Sequence, residues 1–300
     1  LESDKLSAWI APAAGGQLYE LDVRQIGLNL LATFARRPEA YHDKVRAGGA
    51  AGGNGEYVSS IHDRVIFKQE GLDERLQYDD HPRKSLIDHF YSPDTSVDQI
   101  VSGHAVELGN FVHGVYEARI RRNPDRIQVQ LMRRGAVEGA PITITKGVTL
   151  AAGSARLEIA YLIEGAPRDR RFIFSPEMNF AGLPDGMDDR YFYDARRQRL
   201  GRLGERLDLR GTDALGLGDE WQGVDIRFDL DRPGGIWAFP IQTVSQSEGG
   251  FELVHQSVAV LPHWVVEPDR DGRWAVTMSL TIDTSLAEGR KLQSVEAASI

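Results

Sequence analysis

The sequence predicts an all-β protein, a large antiparallel β-sandwich with one or two short N-terminal helices. Three observations carry this. Apolar and polar residues alternate in many short runs, the period-two pattern of half-buried strands. Turn-type spacers such as Asn123-Pro124-Asp125 and Ala151-Ala152-Gly153-Ser154 join the runs, because these residues supply turn conformations at low cost. No helical pattern intervenes between successive runs. That argues against an α/β fold and for a sandwich or barrel.

Taken in order, Gln17–Val23 is the first alternating run. Leu28, Leu31, Phe34 and Ala35 then recur at helical spacing. Pro38 fits a first helical turn, so it closes that helix or opens a second over Pro38–Val45. Ala47–Glu56 reads AGGAAGGNGE. With no apolar anchor it predicts a flexible Gly-rich loop over residues 47–56. No helix-forming run opens directly after it, so its glycines do not make a phosphate cradle. Strands follow at Val112–Arg121, Arg126–Leu131, Ile142–Leu150 and Ala155–Glu164. Ile127, Val129 and Leu131 share one face there, and Gln128 and Gln130 the other. Further strands are expected at Arg171–Phe180, Arg190–Tyr193, Val224–Leu230, Gly235–Val244, Phe251–Val254, Ser257–Val266 and Arg273–Ile282. Residues 1–300 read as one sandwich domain.

Composition narrows the function classes. The chain has 300 residues, with 35 Lys and Arg against 44 Asp and Glu, a net charge of −9. Scattered charges of that balance do not form the basic patch a nucleic-acid binder needs. No apolar run approaches the roughly 20 residues of a membrane-spanning helix, and no signal peptide is visible. Zero cysteines exclude disulfides, iron–sulfur clusters and thiolate zinc sites. They fit a reducing cytosol without requiring it, and a cytoplasmic location is the expectation. The first residue is Leu1, not Met, so the chain is expected to be a piece of a longer protein.

Catalytic signatures are missing. There is no GxSxG elbow, HxH or HExxH, and neither Ser85 nor Ser175 has an activating context. Asp185, Asp188 and Asp189, with Asp194 close behind, form an oxygen-rich loop of the kind that holds Ca²⁺; a solvated acidic loop is the plainer reading. Alternation places Glu177 beside Asn179, opposite Met178 and Phe180. Glu177 is then either a hydrogen-bonded structural acid or a substrate contact. Asp88 and His89 adjoin in an apolar run. They would point to opposite faces of a strand, so a buried structural pair bonded to backbone competes with acid–base work. Trp237 to Trp264 is the densest polar and aromatic stretch. Trp237, Phe239 and Ile241 share a face opposite Gln242, and Glu248, Gln256, His263 and Trp264 follow. Aromatic faces with amides and acids suit sugar rings and hydroxyls; core and rim packing is the alternative.

Several stretches together resemble a known family. They are Gly15–Asp22, Leu30–His42, Ser60–Asp63, Arg83–Phe90 and Pro240–Phe251. In order and over nearly the whole chain, they are similar to the C-terminal β-sandwich domain of glycoside hydrolase family 57, which includes 4-α-glucanotransferases and α-amylases. The resemblance implies a galactose mutarotase-like supersandwich. It also implies that the nucleophilic Glu and acid Asp lie in a preceding barrel domain, whose strand–helix alternation is absent from this chain. The retaining mechanism of that carboxylate pair is therefore assigned to no residue here. The expected role is a non-catalytic accessory domain, with the catalytic barrel of the same polypeptide and an α-glucan as partners. Two rivals stay open. One is a free-standing mutarotase or epimerase-like enzyme, with Glu177 as base and His89 or His263 as acid. The other is a carbohydrate-binding module using Trp237, Trp221 or Trp264.

Overall fold

The structure is a computed structural model that describes residues 1–50, 67–183 and 186–298. Its strands, in chain order, are β1 (Leu6–Ala11), β2 (Gln17–Val23), β3 (Leu28–Asn29), β4 (Ile87–Tyr91), β5 (Glu117–Asn123), β6 (Arg126–Val137), β7 (Ala140–Ala151), β8 (Arg156–Glu164), β9 (Ile173–Phe180), β10 (Arg190–Tyr193), β11 (Arg199–Arg202), β12 (Leu207–Asp219), β13 (Val224–Ser247), β14 (Gly250–Val265) and β15 (Arg273–Asp283). The helices are α1 (His42–Ala50), α2 (Val97–Ser102) and α3 (Ser285–Ala298). Among the described residues the named strands pair antiparallel, as the sequence predicts; the isolated Phe67–Phe251 bridge is parallel.

One sheet runs β11-β10-β12-β13-β15-β8-β7-β6-β5, and β14, β9 and β4 branch from β13. A small sheet, β1-β2-β3, lies beside it. The branch explains the sandwich. Asp225 to Leu230 of β13 pair with β15, whereas Gly235 to Ser247 pair with β14. The strand changes layers near Pro233, Gly234 and Gly235, residues suited to bends and unsuited to regular ladders. β12 shifts register beside the same place, between Leu209 and Ala214, as bulges at sandwich corners do.

The main core fills the space between the layers. Phe172, Phe174, Met178 and Phe180 from β9 and its approach meet Ile159, Tyr161, Phe228 and Trp274 there. The Phe174 ring lies 5.0 Å from Tyr161 and 5.8 Å from Trp274. Every residue of β9 is buried, because its other face is covered as well. Trp237, Phe239, Ile241 and Leu261 form a second cluster with Ile100 of α2. Ser96 caps α2 in a capping box with Gln99, which fixes that cover.

Several expectations are corrected. Leu28 to Ala35 is not a helix. The Asn29 side chain captures the Leu31 N–H at 2.8 Å, and Leu30 exchanges backbone hydrogen bonds with Leu21 and Ala181. Sheet pairing thus overrides the helical spacing, and Phe34 is left exposed. The second helix starts at His42 rather than Pro38; the Glu39 N–H donates to His42 Nδ1. Ala47–Ala50, read as the start of a flexible loop, end α1; the rest of that loop lies outside the described residues. The run at Val112 becomes a strand only from Glu117, since the 111–114 turn closes on itself and Tyr116 N–H bonds Pro12. The paired runs on either side of residues 231–234 and 255–256 are each one continuous strand.

Candidate functional site

The β4–β9 pair positions the site. Their register sets Ile87 opposite Glu177 and His89 opposite Ser175. Alternation then sends Asp88 and Phe90 into the space between the layers and His89 and Glu177 out through the other face. Asp88 meets Lys146 Nζ at 2.8 Å, and Tyr116 and Tyr161 donate their hydroxyls to it at 2.5 and 2.9 Å. Asp88 and His89 therefore do not meet, and their partners are side chains rather than backbone.

On the outer face, His89, Glu177 and Asn179 come together, and the loop before β4 adds two residues. His89 Nε2 is 3.1 Å from Glu177 Oε2, and His81 Nε2 is 3.5 Å from the same oxygen. Arg83 and Asn179 donate to Glu177 Oε1 at 3.0 and 2.6 Å. His89 Nδ1 lies 2.7 Å from Glu107 Oε2. Arg83 also pairs with Asp79 at 2.6 Å, and Asp79 with Arg36 at 2.7 Å. His81, His89, Arg83, Glu107, Glu177, Asp79 and Arg36 line a cleft of about 760 Å³ together with Tyr78, His104, Asn110, His113 and Arg133.

The electrostatics are those of a locked network. Burial opposes ionisation of Glu177, but Arg83, then His81 and His89, overcome it and hold the carboxyl well below its usual range. Burial likewise opposes a charged His89. Its hydrogen bonds to Glu107 and Glu177 outweigh that and push it up to about 10. Asp79 is drawn down to about 2 by Arg36 and Arg83, against the cost of burial. Glu177 is thus a carboxylate with little proton affinity, and His89 is an imidazolium that holds its proton.

The other predicted residues lie elsewhere. Trp237 stacks on His263 with ring centroids 3.7 Å apart, and both Trp237 and Trp264 are buried. Neither offers a free face to a sugar, which corrects the expectation of a tryptophan platform there. Trp221 is 71% exposed. Burial drives the His263 pKa down to about 4, so its ring is neutral. Arg75 reaches Gln242 at 3.4 Å, Glu248 sits exposed in the β13–β14 turn, and Gln256 is the extra residue where that pairing shifts register. Asp188 pairs with Arg202 at 2.7 Å and Asp189 with Arg190 at 3.1 Å; Asp185 is outside the described residues.

Sequence reasoning missed His81, Arg83, Glu107 and Asp79 as site residues. The signal for His81, Arg83 and Asp79 was the Asp79-Asp80-His81-Pro82-Arg83 run, five polar or turn residues shortly before the strand β4.

Residues 1–278 match the family described as Alpha-amylase/4-alpha-glucanotransferase, C-terminal. The chain belongs to that family. It is 30% identical over 268 residues to a 4-alpha-glucanotransferase of Thermococcus kodakarensis, covering 89% of this chain and 37% of that protein. It is 26% identical over 288 residues to Alpha-amylase 1 of Dictyoglomus thermophilum, covering 93% of this chain and 39% of the relative. The chain thus spans little more than a third of the curated relatives it matches. In fold it is similar to the 4-alpha-glucanotransferase of Thermococcus litoralis, with a TM-score of 0.70 and 24% identity over 94% of this chain and 36% of that one. A putative aldose 1-epimerase of Escherichia coli K12 has the same kind of sandwich, with a TM-score of 0.51 and 10% identity over 94% of this chain and 97% of that one. The expected large mutarotase-like sandwich of the C-terminal domain is the fold found.

Proposed function

We propose that this chain serves as the non-catalytic accessory domain of an α-glucan-processing glycoside hydrolase or 4-α-glucanotransferase, braces its catalytic barrel, and contacts glucan through the cleft above β4 and β9. The observation that carries this is the match of residues 1–278 to a C-terminal domain family in a chain covering 37% of a glucanotransferase relative. The site supports it. A mutarotase needs a base and an acid on separate sides of a sugar ring, free to exchange protons. Glu177 and His89 touch at 3.1 Å and neutralise each other, while Arg83 and Asn179 occupy the second carboxylate oxygen. Such a network holds shape and presents hydrogen-bonding edges. The cleft's tyrosine, histidine and amide groups match the apolar faces and hydroxyls of glucose units.

The test uses the purified chain. Maltooligosaccharide disproportionation, starch hydrolysis and anomer equilibration should all run no faster than buffer. Maltoheptaose at millimolar concentration, near −4 kcal/mol, should shift the NMR signals of cleft residues such as His104, Asn110 and His113. Turnover by the isolated chain would overturn the accessory reading, and unmoved cleft signals would overturn the glucan contact.

A further inference from the structure

Glu177 Oε2 is the meeting point of two imidazole nitrogens, and each imidazole is held from behind. His89 Nδ1 lies 2.7 Å from Glu107 Oε2. The other Glu107 oxygen accepts the backbone N–H groups of Phe90 and Gly109, both at 2.9 Å. His81 Nδ1 lies 2.9 Å from Asp80 Oδ1. This is the carboxylate–histidine arrangement that orients imidazole ligands toward a metal ion. The carboxylate is oriented in the same way, since Arg83 and Asn179 hold its Oε1 and leave Oε2 to face the two rings.

The spacing fits. Zinc sits about 2.0–2.1 Å from a histidine nitrogen and about 2.0–2.2 Å from a carboxylate oxygen. Two ligand atoms of a tetrahedral site are then about 3.4 Å apart. The two measured separations, 3.1 and 3.5 Å, fall on either side of that value. All three ligand atoms lie within 4.8 Å of one another. His81 Nε2 is a buried atom without a well-formed hydrogen bond, its contact with Glu177 Oε2 being a long 3.5 Å, on a side chain 9% exposed. A buried polar atom left unsatisfied calls for an explanation, and a metal ion at this point supplies one. Asp79, Asp80, Glu107 and Glu177 line the cleft with Arg36, Arg83 and Arg133, and two of those guanidiniums are already tied to Asp79.

We propose that His81 Nε2, His89 Nε2 and Glu177 Oε2 form a three-ligand site for a divalent transition-metal cation of the zinc type. On binding, the cation displaces the proton on His89 Nε2 to solvent and takes the Nε2 lone pair of His81. The site is independent of the glucan reading, since metal binding is measured with no sugar present.

The test is calorimetric titration of the tag-free, EDTA-stripped chain with ZnCl₂. One equivalent should bind with micromolar or tighter affinity. His81→Ala should lose at least about 100-fold in affinity, and Asp80→Asn about 10-fold to 100-fold. Asp271→Asn, an exposed carboxylate outside the cleft, should bind as the parent does. In the parent chain, Co²⁺ should give the intense visible absorption of a low-coordinate histidine–carboxylate site. This readout stands even where a variant fails to fold. Absence of stoichiometric Zn²⁺ binding, parental affinity in His81→Ala, or a Co²⁺ spectrum like that of the aqueous ion would overturn the assignment.

Discussion

Replacing Lys146 with Met should be among the most damaging single changes away from the cleft. The Lys146 and Asp88 side chains are both fully buried. The ammonium donates to Asp88 Oδ2 at 2.8 Å, to the Leu86 carbonyl at 2.8 Å and to the Gly15 carbonyl at 3.1 Å. Leu86 adopts a left-handed backbone, φ 60°, a conformation bulky residues rarely take, and its carbonyl meets the ammonium. Met matches the volume but leaves Asp88 ionised with only the Tyr116 and Tyr161 hydroxyls. Removing one partner of a buried pair costs about 3–5 kcal/mol. At about 2–4 °C per kcal/mol for a domain of this size, that is roughly a 10 °C fall in Tm. Urea unfolding of Lys146→Met, Asp88→Asn and the double variant closes the cycle. The double variant should be more stable than the two single costs predict, by about 2 kcal/mol, because the orphaned charge is gone. Single costs that add to within about 0.5 kcal/mol, or a Lys146→Met cost below about 1 kcal/mol, would refute the reasoning.

Three further outcomes follow from the geometry. His263 has a folded pKa of about 4 against about 6.5 unfolded, so the native state resists the proton: nothing is lost above pH 6.5, and stability falls as pH drops from 6.5 to 4, by about 2 kcal/mol after screening of the half-buried ring. His263→Gln should remove that part of the slope in urea unfolding at stepped pH; an unchanged slope would assign it to other groups. Gly216→Ala should cost about 1–3 kcal/mol, because a Cβ there would sit 1.8 Å from Cζ of the buried Tyr193 ring; a thermal melt equal to the parent's would show the ring can move aside. Glu107→Gln keeps an acceptor for the Phe90 and Gly109 amides but removes the charge beside His89. It should cost about 1–3 kcal/mol and lower the His89 pKa, followed by NMR titration of the imidazole signals; an unmoved pKa would mean Glu177 alone sets it.

The strands that face water on one side were legible, since burial on one face leaves a period of two. Ile142–Leu150 and Ala155–Glu164 are within a residue or two of β7 and β8. β12 was not, because LDLRGTDALGLGD has glycines where a strand pattern expects bulk. Gly216 is there to admit the Tyr193 ring, a reason that exists only across two strands. The Leu28–Ala35 spacing misled for a related cause: Leu28 and Leu31 reach the core from a strand and a loop rather than from one helix face, and Phe34 and Ala35 are exposed. Within the site, Glu177 and Asn179 were readable as neighbours by alternation. Glu107 was not, because a lone acid in a loop reads as solvated until the loop folds onto His89.

The adjacency of Asp88 and His89 ties the fold to the site. Both are buried, on opposite faces of a five-residue strand. A one-residue slip of β4 against β9 would turn His89 toward Lys146 and Asp88 toward Glu177. Either placement sets like charges together, His89 against Lys146 and Asp88 against Glu177, and separates Asp88 from Lys146, so the slipped register is disfavoured. Apolar neighbours such as Ile87 and Phe90 discriminate far less, because both are buried although they lie on opposite faces of the strand. The Lys146–Asp88 pair is therefore a registry device as well as a stabilising contact. By fixing which face each residue takes, it also holds His89 Nε2 against Glu177. A Lys146 variant that still folds should then loosen the cleft network although Lys146 touches none of its members, and the imidazole signals of His81 and His89 would report it.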